Sequence, residues 1–165
     1  MPFNVLKNLY FATIYPKLLY GIELYANTFP TFLQDLIVIN NKLLRILQTK
    51  PLRVNTKELY QTYATLPVDK LFQYQLLLLA YKLVYYKNSL PSVFSNYFIL
   101  NKNIHCHNTR YNSDVHINRY LTSFGSRCLY NKCAILWNSL PENAKLVTPF
   151  NLFKRTIKYR LLNFD

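Results

Sequence analysis

Two glycines in 165 residues, Gly21 and Gly125, restrict this chain more than any other feature of its composition. Dinucleotide and nucleotide phosphate loops need several glycines in one short turn, and hairpin-rich β folds need them at positive-φ positions. An isolated glycine satisfies neither requirement, so both phosphate cradles are excluded, and hairpin-rich β architecture is disfavoured. With 51% apolar residues the chain can bury a core, which excludes wholesale disorder. Many leucines and lysines with little glycine leave room for long helices.

The hydrophobic spacing predicts those helices. Between Val5 and Tyr25, Leu6, Leu9, Tyr10, Thr13, Ile14, Leu18, Leu19, Ile22 and Tyr25 form a helical stripe, broken or kinked at Pro16. Thr31 and Gln34 have capping-box spacing after Pro30. The helix they open is expected to reach about Leu47, with Phe32, Leu36, Ile39, Leu43 and Ile46 inward and Lys42 and Arg45 on its other side. Asn55 with Glu58 repeats the capping pattern and predicts a helix from Thr56 to Tyr63. Asp35, Glu58 and Asp69 are expected in helix first turns, where carboxylates favour the helix dipole.

From Val68 to Lys87 two stripes run side by side. Leu71, Tyr74, Leu78, Tyr81 and Tyr85 form one, and Phe72, Leu76, Leu79, Leu83 and Tyr86 the other. A helix apolar around most of its circumference belongs at the buried centre of an α-domain. The longest aliphatic run, Leu76 to Ala80, is far shorter than the ~20 residues of a membrane span, and Lys82 interrupts it. Beyond Leu90-Pro91 the texture changes. Residues 95–120, rich in Asn and His, read as an irregular connector with at most one short strand. Helix is expected again from Tyr120 through Ser126 to Asn138. A last helix is opened by Thr148-Pro149, with Phe150, Phe153, Ile157 and Leu161 on one face. The expected fold is therefore mainly α: a helical region over residues 1–94, an irregular connector, and a basic helical C-terminal segment within 95–165.

Charge is uneven. Twenty Lys and Arg stand against seven Asp and Glu, a net +13, and ten of the twenty lie after residue 100. A negatively charged partner is therefore sought there. With 15 Tyr and 11 Phe, the composition suits a surface that stacks bases on rings and neutralises phosphates with cations. The candidate contacts are Arg110, Arg119, Arg127, Lys154, Arg155, Lys158 and Arg160, interleaved with Tyr111, Tyr120, Tyr130 and Tyr159. The alternative is that Tyr120, Tyr130 and Trp137 pack in the core while the charges solvate the surface.

Chemistry of other kinds finds little support. The seven carboxylates include no sequence neighbours, whereas two-metal phosphoryl transfer needs carboxylates converging on ions ~4 Å apart. His105-Cys106-His107, His116, Cys128 and Cys133 could in principle supply zinc ligands. However, adjacent residues point in different directions and no CxxC exists, so polar loop histidines and buried structural cysteines are the expected reading. No cofactor is expected. Three cysteines at no framework spacing, with polar Asn4, Lys7 and Asn8 where a signal peptide would be apolar, point to an intracellular setting, nucleus or cytoplasm, and away from a membrane.

Several segments, in order, carry a resemblance. They are Tyr20-Gly21-Ile22-Glu23, Asn41-Lys42-Leu43-Leu44-Arg45-Ile46, Leu66-Pro67, Tyr81-Lys82, His105-x-His107-Asn108-Thr109-Arg110, Gly125, Leu136-Trp137-Asn138-Ser139-Leu140-Pro141 and Phe153-Lys154. Together, from about Leu6 to Leu162, they resemble the C-terminal part of jockey-like non-LTR (LINE-type) retrotransposon reverse transcriptases. The resemblance implies a thumb that holds a template–primer duplex, followed by an extension that engages RNA or target DNA. Lys42 and Arg45 would lie on a thumb helix, Arg110 and Lys154 in the extension. The family commonly has an aromatic where His107 stands, so that ring would pack. The palm's Tyr-x-Asp-Asp motif, the endonuclease and a Cys-Cys-His-Cys knuckle are not in this sequence, so the chain reads as a fragment that does not polymerise by itself. Magnesium would belong to the missing palm, itself a possible partner. The alternatives are a helical protein-interaction module or an unfunctional remnant.

Overall fold

The computed structural model describes residues 2–94, 97–104 and 111–163. The architecture is mainly helical, and the described residues form no sheet, only an isolated antiparallel bridge between Leu100 and Val115. The helices are α1 (Phe3–Leu9), α2 (Tyr15–Leu19), α3 (Ile22–Tyr25), α4 (Pro30–Leu47), α5 (Thr56–Tyr63), α6 (Val68–Tyr85), α7 (Ser123–Ser126), α8 (Leu129–Asn138), α9 (Glu142–Lys145) and α10 (Phe150–Asn163). They fall into two compact units: Met1–Phe72 with Lys158–Asp165, and Gln73–Ile157. The division falls within α6 and α10. The compositional change near residue 95 lies elsewhere, since it marks where the helices give way to connector.

In the first unit, the expected break at Pro16 is realised upstream as a π-helical turn, Tyr10–Ile14, joining α1 to α2. Proline has no N–H for the fourth carbonyl back, and its ring collides with that carbonyl. The wider turn, in which Tyr15 N–H donates to the Tyr10 carbonyl, takes up the mismatch. Gly21 follows at φ 66°, and a Cβ there would meet nothing within 4 Å. Glycine is therefore needed for the left-handed conformation and not for space.

The expectation for α4 needs correction. Phe29 is the N-cap and Pro30 the first helical residue, without a side-chain cap, so Thr31 and Gln34 form no capping box and Asp35 lies beyond the first turn. The buried face consists of Leu33, Asn40 and Leu44; of the expected set, Leu43 packs half-buried against the same core and Leu36 is half-buried, while Phe32, Ile39 and Ile46 are 73%, 61% and 74% exposed. Apolar spacing selected the wrong stripe because the centre of the true one is an asparagine. Tyr10 Oη donates to Asn40 Oδ1 (3.3 Å), Asn40 Nδ2 donates to Tyr60 Oη (3.1 Å), and Tyr60 Oη donates to Asn41 Oδ1 (2.7 Å). The bonds tie the π turn, α4 and α5 together within a core of Tyr10, Leu44, Leu59, Tyr60 and Tyr63. Burial pushes the phenol pKa of both Tyr10 and Tyr60 up. A lost buried hydrogen bond costs about 1–3 kcal/mol, so Asn40→Ala, which removes the amide between Tyr10 and Tyr60 and leaves a void, should lower stability by about 2–3 kcal/mol. A shift of the urea midpoint at unchanged m-value measures it.

Helix α5 forms as expected. Asn55 Oδ1 accepts from Lys57 N–H (2.9 Å), but Glu58 reaches Lys50 Nζ (2.8 Å) instead of closing a capping box.

In the second unit, Leu76, Leu77, Ala80, Tyr81 and Leu83 of α6 are buried, as are Cys133, Ala134 and Trp137 of α8 and Phe153 and Ile157 of α10. The Tyr81 ring lies 4.4 Å from Phe153 and 6.4 Å from Trp137. The two-stripe reading of α6 holds through Leu83, while Tyr85 and Tyr86 emerge at its end. The helix expected from Tyr120 to Asn138 begins only at Ser123 and is two: Thr122 Oγ1 caps α7 by accepting from Gly125 N–H, and Cys128 is the N-cap of α8. Gly125 is close-packed, since a Cβ would lie 2.7 Å from the Tyr120 ring. Asn138 clamps the connector, accepting from Val115 N–H (3.0 Å) and donating to its carbonyl (2.8 Å). Pro149 immediately precedes α10 rather than opening it. Phe153 and Ile157 face inward as expected.

No helix among the described residues is long and apolar enough to cross a membrane.

Candidate nucleic-acid interface

In the first unit Lys42 is exposed on α4, whereas Arg45, one turn on, is half-buried with its Nε enclosed. Lys158 and Arg160 stand half-buried on the last turns of α10. Burial lowers the Lys158 pKa, and the ammonium of Lys7 lowers it further. Burial and a like charge thus both disfavour the charged form of Lys158. Tyr159 lies between the two α10 cations in sequence and is 69% exposed.

A cleft of about 160 Å³ opens where α5 and α6 begin, lined by Thr56, Lys57, Tyr60, Asp69, Lys70 and Leu161 among others. The carboxylate lining it is Asp69, in the first turn of α6, where it favours the helix dipole.

The second unit carries two further groups of cations. Lys154 Nζ sits 4.5 Å and Lys82 Nζ 5.6 Å from the centroid of the Phe150 ring. One aromatic face-and-edge system thereby gathers two ammonium groups, while neighbouring Arg155 is exposed. On the approach to α8, Arg127 Nε donates to the Ser123 carbonyl (3.1 Å). Burial and then the Arg127 charge lower the pKa of Lys132. Arg119 is exposed on the connector. Lys145 is a contrast: it is buried and paired with Asp114 (3.3 Å) and Glu142 (3.1 Å), so its charge is spent on the fold.

Of the residues anticipated from sequence, Lys154, Arg155, Lys158 and Arg160 lie along α10, Arg127 between α7 and α8, Arg119 on the connector, and Lys42 and Arg45 on α4. Arg110 lies outside the described residues, as do His105, Cys106 and His107. Among the described residues, no group of three or more His, Cys, Asp and Glu is placed to hold a metal ion. Lys7, Lys82 and Lys132 were missed. Lys82 alone left a trace, as the cation that interrupts the apolar run of α6; the pairing of Lys7 with Lys158 spans nearly the whole sequence. The aromatics divide: Trp137 is core, Tyr130 is half-buried with its hydroxyl donating to the His116 carbonyl (3.0 Å), and Tyr111 is 69% exposed.

Comparison with protein-family models, with curated proteins and with solved structures finds no match to this chain.

Proposed function

We propose that the chain binds nucleic acid without sequence preference, through phosphates, as the thumb and C-terminal extension of a jockey-like non-LTR retrotransposon reverse transcriptase. The observation that carries the reading is the gathering of Lys82 and Lys154 at one ring, their Nζ atoms 5.6 Å and 4.5 Å from the Phe150 centroid, beside exposed Arg155. Burial with a neighbouring cation also lowers the pKa of Lys158 and Lys132, and phosphate oxygens favour the charged form of such amines. The net charge of +13 points the same way. The motif residues of the resemblance add a structural rationale: Trp137 fills the core and Asn138 clamps the connector. In this reading, polymerisation and its magnesium belong to a palm that this chain does not contain, and the setting is the nucleus or cytoplasm.

The test is a fluorescence-anisotropy titration of labelled duplex DNA and RNA–DNA hybrid across a range of salt. Binding should weaken linearly in log–log form, with a slope of about −0.9 for each phosphate neutralised on duplex DNA. Similar affinities are expected for unrelated sequences. Absence of binding at low salt, or binding indifferent to salt, would sink the reading.

A further inference from the structure

One row on α4 is built as an interaction seam. Phe32, Leu36, Ile39, Leu43 and Ile46 recur at alternating steps of four and three, the spacing of a heptad seam, and Phe29 continues the row upstream; Phe32, Ile39 and Ile46 are exposed, Leu36 and Leu43 half-buried. This row borders the buried one: Leu33, Asn40 and Leu44 face the unit's own core and Leu43 packs against its edge, while Phe32, Ile39 and Ile46 are each more than three-fifths exposed. A partly exposed apolar row along an 18-residue helix is unusual on a surface otherwise rich in charge.

Two charges flank it, both exposed and both on the same edge: Asp35 and Lys42. Seven residues separate them, about 10 Å along the axis, too far to pair within one helix. A second α4 running antiparallel brings them together. If a two-fold axis sets Leu36 against Ile39 of the second copy, Phe32 meets its Leu43, Phe29 meets its Ile46, and every contact occurs twice. In that register Asp35 falls within two residues' rise, about 3 Å, of Lys42 of the second copy, and Lys42 matches its Asp35. The parallel arrangement sets Asp35 opposite the Asn40 edge and satisfies neither charge. Apolar row and charges therefore select the same occupant and the same direction, as a self-complementary isologous contact requires.

We propose that this chain forms an antiparallel homodimer through α4, with Phe32, Leu36, Ile39, Leu43 and Ile46 as its seam and Asp35–Lys42 ion pairs at its edge. The contact goes beyond nucleic-acid binding and does not depend on it.

Sedimentation equilibrium without nucleic acid, from about 1 to 200 µM chain, tests it, because one helix per copy suits a micromolar dimer. A reversible dimer is expected. Ile39→Asp should weaken it by at least about 100-fold while leaving the unfolding temperature within a few degrees, since Ile39 is already 61% exposed. Asp35→Lys and Lys42→Asp, each alone, should weaken it about 10-fold by opposing like charges twice, and the double exchange should restore it. A chain that stays monomeric throughout overturns the proposal and assigns the face to a different polypeptide. A dimer that survives Ile39→Asp, or a double exchange that fails to restore pairing, overturns it equally. None of these outcomes bears on the salt-dependent binding proposed above.

Discussion

Simultaneous reversal of Lys154, Arg155, Lys158 and Arg160 to glutamate is expected to abolish nucleic-acid binding while leaving the helices intact. The change takes eight positive charges off a formal +13. If all four contact phosphates, the salt slope should shrink in magnitude by about 3.6, and affinity near 0.1 M salt should fall by about 1,000-fold. The fold has reasons to tolerate the change. Arg155 is exposed, and Lys158→Glu replaces a repulsive neighbour of Lys7 with an attractive one. Lys154 gives up its position over Phe150, worth about 0.5–1 kcal/mol. Circular dichroism with anisotropy on the same samples separates loss of binding from loss of structure. Undiminished binding would remove α10 from the interface.

The elements that could be read from sequence were those in which local chemistry and tertiary packing agree. Helix α5 has a real asparagine cap and runs from Thr56 to Tyr63 as its spacing predicts. Helix α6 is apolar on so many sides that no choice of face had to be made. On α4 a choice was required, and hydrophobicity chose wrongly. Asn40 is 3% exposed because two tyrosine hydroxyls satisfy its amide, while Ile39 beside it faces water. A polar residue at the centre of a core is legible only once its partners, 30 and 20 residues away, are known. The same limit applied to the interface. Lysines of α10 stood out as a cluster, but Lys7 acquires its place only by folding. The split between α7 and α8 was likewise hidden, because Thr122 looks like any threonine until the chain bends at Arg127 and Cys128.

Tyr81→Ala is expected to be the most damaging single substitution, for reasons held entirely within the second unit. Tyr81 is 1% exposed. Its ring meets Phe153 at 4.4 Å, Tyr85 at 4.6 Å, Phe150 at 5.4 Å and Trp137 at 6.4 Å, joining α6, α8 and α10. Truncating a buried aromatic costs about 3–5 kcal/mol in lost transfer energy and cavity, and each lost ring pair adds a further fraction of about 0.5–1.5 kcal/mol. Domains hold only about 5–15 kcal/mol in total, so this unit should be largely unfolded or molten near 37 °C. The hydroxyl contributes far less. It donates to the Val147 carbonyl at 3.2 Å, a bond worth about 1 kcal/mol net, so Tyr81→Phe should unfold cooperatively and only slightly early. Near-ultraviolet circular dichroism discriminates the two, because the Trp137 environment depends on the packed ring and not on its hydroxyl. If Tyr81→Ala and Tyr81→Phe behaved alike, the aromatic stack would not be what organises this unit.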